Sequence, residues 1–259
     1  VVARSRSKGV SEMPPEEIKG AVRKAYAKVA TAQRCCCNTS CCDEPRMGKS
    51  ADRAKRYGYD TKGLPKSVTG FFDGCGNPLY LSDIREGETV LDLGSGAGLD
   101  VFMAAKRVGA EGRVIGVDMT PEMIEKAKAN AQKLGVKNVE FRLGDLEDVP
   151  IDDGSVDVVI SNCVMNLVPD KQKAFREAYR VLRPGGRMFV SDTVLEGALS
   201  KRVRESIKAY TGCVSGAMEE GPYLQTIRDA GFADVKVMGR SKLSRHVASV
   251  KINALKPTK

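Results

Sequence analysis

Eight cysteines stand in this chain of 259 residues, and three of them sit in settings where a sulfur can do chemistry. Cys75 lies in Gly74-Cys75-Gly76-Asn77-Pro78, Cys163 in Ser161-Asn162-Cys163-Val164, and Cys213 in Gly212-Cys213-Val214. Thiolates are soft ligands and good nucleophiles, so such residues can capture a soft ion or exchange electrons as thiol and disulfide. Glycine beside Cys75 and Cys213 predicts accessible sulfurs. Alone, Cys163 reads as a small buried hydrophobe. The other five, Cys35, Cys36, Cys37, Cys41 and Cys42, crowd into eight positions. Neighbouring cysteines pair poorly with each other, and the chain is too long and too regular for a disulfide-stapled secreted domain. A reducing compartment, the cytoplasm, is expected. A structural zinc site using Cys37 and Cys41 is the competing reading of the cluster, but the crowding suits tetrahedral geometry poorly.

A second group of chemistry-bearing residues begins at Asp92. The apolar run Val90-Leu91 leads into Asp92-Leu93-Gly94-Ser95-Gly96-Ala97-Gly98. Glycines here let backbone approach a ligand. A dinucleotide fingerprint would put Gly or Ala where Leu99 stands. The spacing Asp-x-Gly-x-Gly-x-Gly instead resembles the first motif of class I methyltransferases. In that family the loop wraps the amino-acid end of S-adenosylmethionine, a ligand with an ammonium and no pyrophosphate, and Asp92 can balance that charge. Asp118 ends the next strand and can accept from both ribose hydroxyls. Met119 can pack on the adenine. Gly144-Asp145-Leu146 follows the third strand, where the family places an acid near the adenine amino group.

These residues need a frame, and the hydrophobic pattern supplies one. Short apolar strands are expected at Val90–Leu93, Arg113–Asp118, Val139–Leu143, Val156–Ser161 and Arg187–Asp192. Helices are expected at Asp100–Val108, Pro121–Leu134 and Lys171–Leu182, the last stopped by Pro184-Gly185-Gly186. Alternation at this spacing predicts an α/β fold, a Rossmann-like doubly wound parallel sheet. Residues 1–84 read as a Cys-rich extension with a helix from Glu16 to Gln33. Residues 85–195 read as the cofactor-binding core. Residues 196–259 read as a smaller region that carries Cys213 over the site, with helices at Lys201–Thr211 and Pro222–Ala230 and strands at Ala233–Val237 and Ala248–Ala254.

The three cysteine settings together closely resemble the arsenite methyltransferases. In that family a cysteine in a Gly-Cys-Gly turn, one in a Ser-Asn-Cys-Val strand end, and a third about fifty residues later bind the metalloid. The resemblance implies that Cys75, Cys163 and Cys213 hold trivalent arsenic through sulfur. Asn162, Gly94, Ser95, Gly96 and Gly98 would then help to hold the cofactor in line, so that positioning supplies much of the rate. It further implies that methylation oxidises the arsenic, that two cysteines reduce it by forming a disulfide, and that thioredoxin or glutathione resets the enzyme. Cys41 and Cys42, nearest the core, are favoured for disulfide exchange as a redox relay or for substrate capture. The substrate would be arsenite, free or as a thiol conjugate.

A class I methyltransferase acting on a quinone or other small carbon acceptor would share the cofactor motifs without needing Cys75 and Cys213. A thiol-based metalloid carrier or sensor would not need the intact Asp92, Asp118 and Asp145. The single histidine, His246, stands outside the recognisable site, which favours an acceptor that is nucleophilic without a general base. The net charge is +9, but the basic residues are scattered and aromatics make up only 5%, so a nucleic-acid partner is not expected. No apolar run reaches the length of a membrane helix, and Val1–Lys8 lacks the apolar core of a secretory signal. Nothing in the sequence demands more than a monomer.

Overall fold

The computed structural model describes residues 9–31 and 46–258. The five clustered cysteines Cys35, Cys36, Cys37, Cys41 and Cys42 lie outside the described residues, and with them the relay and zinc readings.

Five strands run parallel: β1 (Thr89–Leu93), β2 (Arg113–Asp118), β3 (Val139–Leu143), β4 (Val156–Asn162) and β5 (Leu182–Leu195). Two more, β6 (Ala233–Lys242) and β7 (Val247–Leu255), complete one sheet in the order β3-β2-β1-β4-β5-β7-β6, with β7 antiparallel to both neighbours. The order reverses between β1 and β4, so a crevice opens beyond their carboxyl ends. Helices cover the sheet: α1 (Pro15–Thr31), α2 (Arg46–Arg56), α3 (Lys66–Thr69), α4 (Leu99–Val108), α5 (Pro121–Leu134), α6 (Lys171–Val181), α7 (Lys201–Arg204), α8 (Ile207–Tyr210) and α9 (Glu220–Asp229).

The strands are nearly continuous in apolar residues because both faces are covered. Along β1, Val90 joins the core under α4 and α5, whereas Leu91 and Leu93 join the core under α6 and α9. A third, smaller apolar cluster forms at the strand ends. It unites Ile18 and Val22 of α1 with Leu167, Tyr210 and the three cysteines Cys75, Cys163 and Cys213. The residues after 195 thus supply two strands of the central sheet and one wall of this cluster.

Three local expectations change. The Lys201–Thr211 helix is broken into α7 and α8 because the Ser206 side chain accepts from Ala209 N, capping a new start. β5 begins at Leu182 rather than Arg187, and Pro184-Gly185-Gly186 is absorbed as an irregularity where its register with β4 jumps from Val156 to Val158. β6 extends to Lys242, since pairing with β7 continues to Ala248.

Phe175 of α6 is fully buried and packs edge-on against Tyr223 of α9, ring centroids 5.6 Å apart. Phe175→Ala should lower the unfolding free energy by about 3–5 kcal/mol, read from urea denaturation.

Candidate active site: a cofactor crevice ending at three thiols

The loop after β1 is held in the left-handed region at Gly94, Gly96 and Gly98. Its backbone is pinned to β2: Gly94 N and Ser95 N donate to Val117 O, and Gly96 N donates to Asp118 Oδ2 at 2.9 Å. Asp118 Oδ1 accepts from Thr120 N at 2.9 Å, so each carboxylate oxygen is oriented by one backbone donor. Above the loop lies an open cavity with about 1010 Å³ of empty space. Gly94, Ser95, Gly96, Asp118, Met119, Asp145, Leu146, Asn162 and Cys163 all line it. Asp92, Gly98, Gly144, Cys75 and Cys213 are not part of that lining.

Acids crowd the loop end. Asp92 and Asp100 are almost wholly buried, and burial raises the carboxyls of Asp92, Asp100 and Asp118, that of Asp100 to about 6. Ser95 Oγ is buried without a partner. A cluster of desolvated carboxylates beside an orphaned hydroxyl fits a polar ligand that brings positive charge. The sulfonium and ammonium of S-adenosylmethionine meet that description.

Asp100, which the sequence reading placed only in a helix, proves to be a hub. Its Oδ1 accepts from Tyr59 OH at 2.5 Å, and its Oδ2 accepts from Asn162 Nδ2 at 3.2 Å. Asn162 Nδ2 also reaches Gly76 O at 3.0 Å, and Asn162 Oδ1 accepts from Cys75 N at 3.2 Å. One amide therefore joins the start of α4, the end of β4 and the turn that carries Cys75.

At the opposite end, Asp145 is engaged by a residue the sequence did not flag. Lys19 of α1 donates to Asp145 at 2.6 Å and to Glu147 at 2.9 Å. Burial opposes the charge on Lys19, but these two carboxylates outweigh it and raise its pKa. Lys19, Val22 and Tyr26 line the cavity from one face of α1, a spacing of three and four residues that was legible as helical periodicity.

The three cysteines converge beyond Asn162. All are free thiols and buried, at 5–7% exposure. The glycines around Cys75 thus serve close packing rather than access. A Cβ at Gly74 would come within 2.6 Å of Asn162 Nδ2, and one at Gly76 within 2.8 Å of Ser191. Sγ of Cys75, Sγ of Cys163 and a carboxylate oxygen of Asp192 lie within 4.8 Å of one another. Cys213 Sγ donates to Cys163 O at 3.0 Å. Cys163 and Cys213 both have positive φ, 61° and 59°, a conformation rare for residues with a Cβ and costing about 1–3 kcal/mol each. Asn166, Thr193 and Gly216 hold it. Asn166 Nδ2 donates to Thr193 O, Thr193 Oγ1 donates to Cys213 O at 2.7 Å, and any side chain at Gly216 would collide with Asn166 O.

The Cys163 thiol is raised well above its usual value by contact with Cys213, then Cys75, then burial. For Cys213, contact with Cys163 pulls downward but burial prevails and raises it. At rest, these two sulfurs keep their protons.

Residues 84–231 match the family model described as a methyltransferase domain. An arsenite methyltransferase of Halobacterium salinarum is 41% identical over 96% of this chain and 69% of its own length. One from Aquipseudomonas alcaligenes is 40% identical over 68% of this chain, which spans only 53% of that relative. Among solved structures, an arsenic (III) S-adenosylmethionine methyltransferase from Chlamydomonas reinhardtii superposes with a TM-score of 0.69 at 33% identity, covering 83% of this chain and 75% of the other. The fold is that of the class I S-adenosylmethionine-dependent methyltransferases. Within that class, the chain belongs to the arsenite methyltransferase family.

The buried acids set a pH dependence. Burial raises Asp92, Asp100, Asp118 and Asp192, so their stabilising share is full below the ordinary carboxylate range and is lost as pH rises through their folded values, about 6 for Asp100 and Asp192. Acids with lowered values, such as Asp145 and Glu177, titrate below this window. The unliganded protein should therefore be more stable at pH 5 than at pH 8, with Asp92→Asn narrowing the gap, as read from urea midpoints at both pH values. Gly216→Ala should push the Cys213 loop from Asn166 and slow cross-linking of Cys163 to Cys213 by a short dithiol-reactive reagent, followed by intact mass.

Proposed function

We propose that this chain transfers a methyl group from S-adenosylmethionine to trivalent arsenic seated on Cys75, Cys163 and Cys213. The observation that supports the reading is the packing of three buried thiols in one apolar cluster, with Cys163 belonging also to the lining of the cavity that the glycine loop floors. Gly94, Ser95, Gly96, Asp92 and Asp118 would hold the amino-acid and ribose portions of the cofactor. Met119 and Leu146 would flank its base, with Gly98, Gly144 and Asp145 shaping the loops around it. Asp145 would first have to share or exchange its Lys19 contact. When bound, the cofactor supplies an electrophilic methyl on a sulfonium.

The protein's own part is capture and aim. Each thiol forms one sulfur–arsenic bond and gives its proton to the departing hydroxide, which leaves as water. Neutral, buried thiols suit this exchange, since no charge has to be carried into the pocket. Asn162 keeps the Cys75 turn against the β4 end, so two of the sulfurs stay in register with the crevice. The cavity walls from α1 exclude water. Methyl transfer uses the arsenic lone pair and raises its formal oxidation state by two. Two cysteine thiols can return those electrons by closing a disulfide, with Cys41 or Cys42 as a proposed partner in the exchange and a thioredoxin- or glutathione-type thiol as the reductant that reopens it. A monomer in the cytoplasm completes the reading. Among the described residues no helix is long and apolar enough to cross a membrane.

The test is transfer of labelled methyl from S-adenosylmethionine to arsenite with a thiol present. Wild type should yield methylated arsenic. Cys163→Ser should lose at least the roughly 100-fold that removal of even an outer-shell partner can cost, while still binding the cofactor. Cofactor binding without transfer to arsenite would overturn the reading in favour of a carbon acceptor.

A further inference from the structure

The three-thiol seat leaves one neighbour unexplained. Asp192 places a carboxylate oxygen within 4.8 Å of both Cys75 Sγ and Cys163 Sγ, at the fully buried end of the site. Trivalent arsenic takes sulfur by preference and has no need of a carboxylate. We propose that Cys75, Cys163 and Asp192 form a second kind of site in the same place: a binding site for a soft divalent cation of the zinc or cadmium class, whose occupancy blocks the arsenic seat.

Three features argue for a built site. The donor atoms need to close by only about 1 Å, since sulfur and oxygen around tetrahedral zinc stand roughly 3.5–3.8 Å apart given bonds of about 2.3 and 2.1 Å. Side-chain rotation covers that distance. The carboxylate is oriented in advance, as ligating carboxylates are. Its Oδ1 accepts from Asn166 Nδ2 at 2.7 Å and Thr193 N at 2.8 Å, and its Oδ2 accepts from Tyr223 OH at 3.0 Å. Oδ2 therefore retains a lone pair. Finally, the pocket carries a buried acid beside two thiols, and the hydrogen-bond partners of that acid, Asn166, Thr193 and Tyr223, are all neutral. A divalent ion would supply the missing charge.

Cys213 Sγ lies outside that 4.8 Å set but donates to the Cys163 carbonyl, which makes it the neighbouring thiol that a bound ion would recruit. The binding step balances simply. Two S–H bonds break, two sulfur–metal bonds form with an oxygen–metal bond from ionised Asp192, and two protons pass to water. If Cys213 joins, a third proton leaves. No electron moves. Arsenic substitution, by contrast, releases water and no net proton.

The inference concerns the cation itself, so it stands or falls independently of methyl transfer. Cadmium would be titrated into the full-length reduced protein and into a version with Cys35, Cys36, Cys37, Cys41 and Cys42 all changed to Ser. The ultraviolet sulfur-to-cadmium absorbance would be followed, with proton release by a pH indicator. Arsenite affinity would be measured in parallel. A tight absorbance step should survive in the five-serine version, with two or three protons released. Asp192→Asn should weaken cadmium by about 10-fold or more, a larger loss than it causes for arsenite. Cys163→Ser should abolish both, with cofactor binding as the check on folding. An unchanged cadmium affinity in Asp192→Asn, an equal loss for cadmium and arsenite in that variant, or loss of the step in the five-serine version would each overturn the proposal.

Discussion

The site depends on one side-chain amide. Asn162 ends β4, and its two polar atoms reach two other segments: Asp100 at the start of α4, and the cysteine turn at Gly76 O and Cys75 N. A buried amide that satisfies partners on separate elements fixes their relative positions, because releasing any one leaves a desolvated group unpaired. The cofactor crevice and the cysteine turn are therefore one rigid unit. Tyr59 closes the unit by donating to the same Asp100.

A second constraint acts on Cys163 and Cys213. Both adopt a backbone conformation that favours glycine, and both are held there by neighbours rather than by their own preference. Cys163 N is bonded to Ser191 O at 2.7 Å, and Cys213 is clamped by Thr193 and by the contact of Gly216 with Asn166. The strain turns two sulfurs toward a third. Stability is spent elsewhere in the sheet to keep that arrangement, with β5 at the centre, since Ser191, Asp192 and Thr193 all lie on it.

Charge divides the crevice. The glycine-loop end concentrates buried acids, whereas at the Asp145 end Lys19 sits between Asp145 and Glu147 and offsets part of their charge. α1 spans both ends, with Lys19 near the Asp145 end and Tyr26 in the apolar cluster of the cysteines. That helix couples the covering of the crevice to the packing of the thiols.

The strands, their parallel arrangement, the glycine loop and the acids at Asp92, Asp118 and Asp145 could all be read directly from the chain. They depend on local apolar periodicity and short fixed spacings, which sequence carries explicitly. The three cysteines that the fold packs together were legible through their flanking residues. The roles of Lys19, Tyr59, Asp100, Asn166 and Asp192 were not. Each acts through a partner between 26 and 126 positions away, and such pairings exist only once the sheet has brought distant segments together. The glycines beside Cys75 show the same division: their presence was plain, but that they admit Asn162 and Ser191 rather than solvent was decided by packing. Local spacing specified which residues could do the chemistry. Long-range burial and hydrogen bonding decided which atoms face one another, and with what charge.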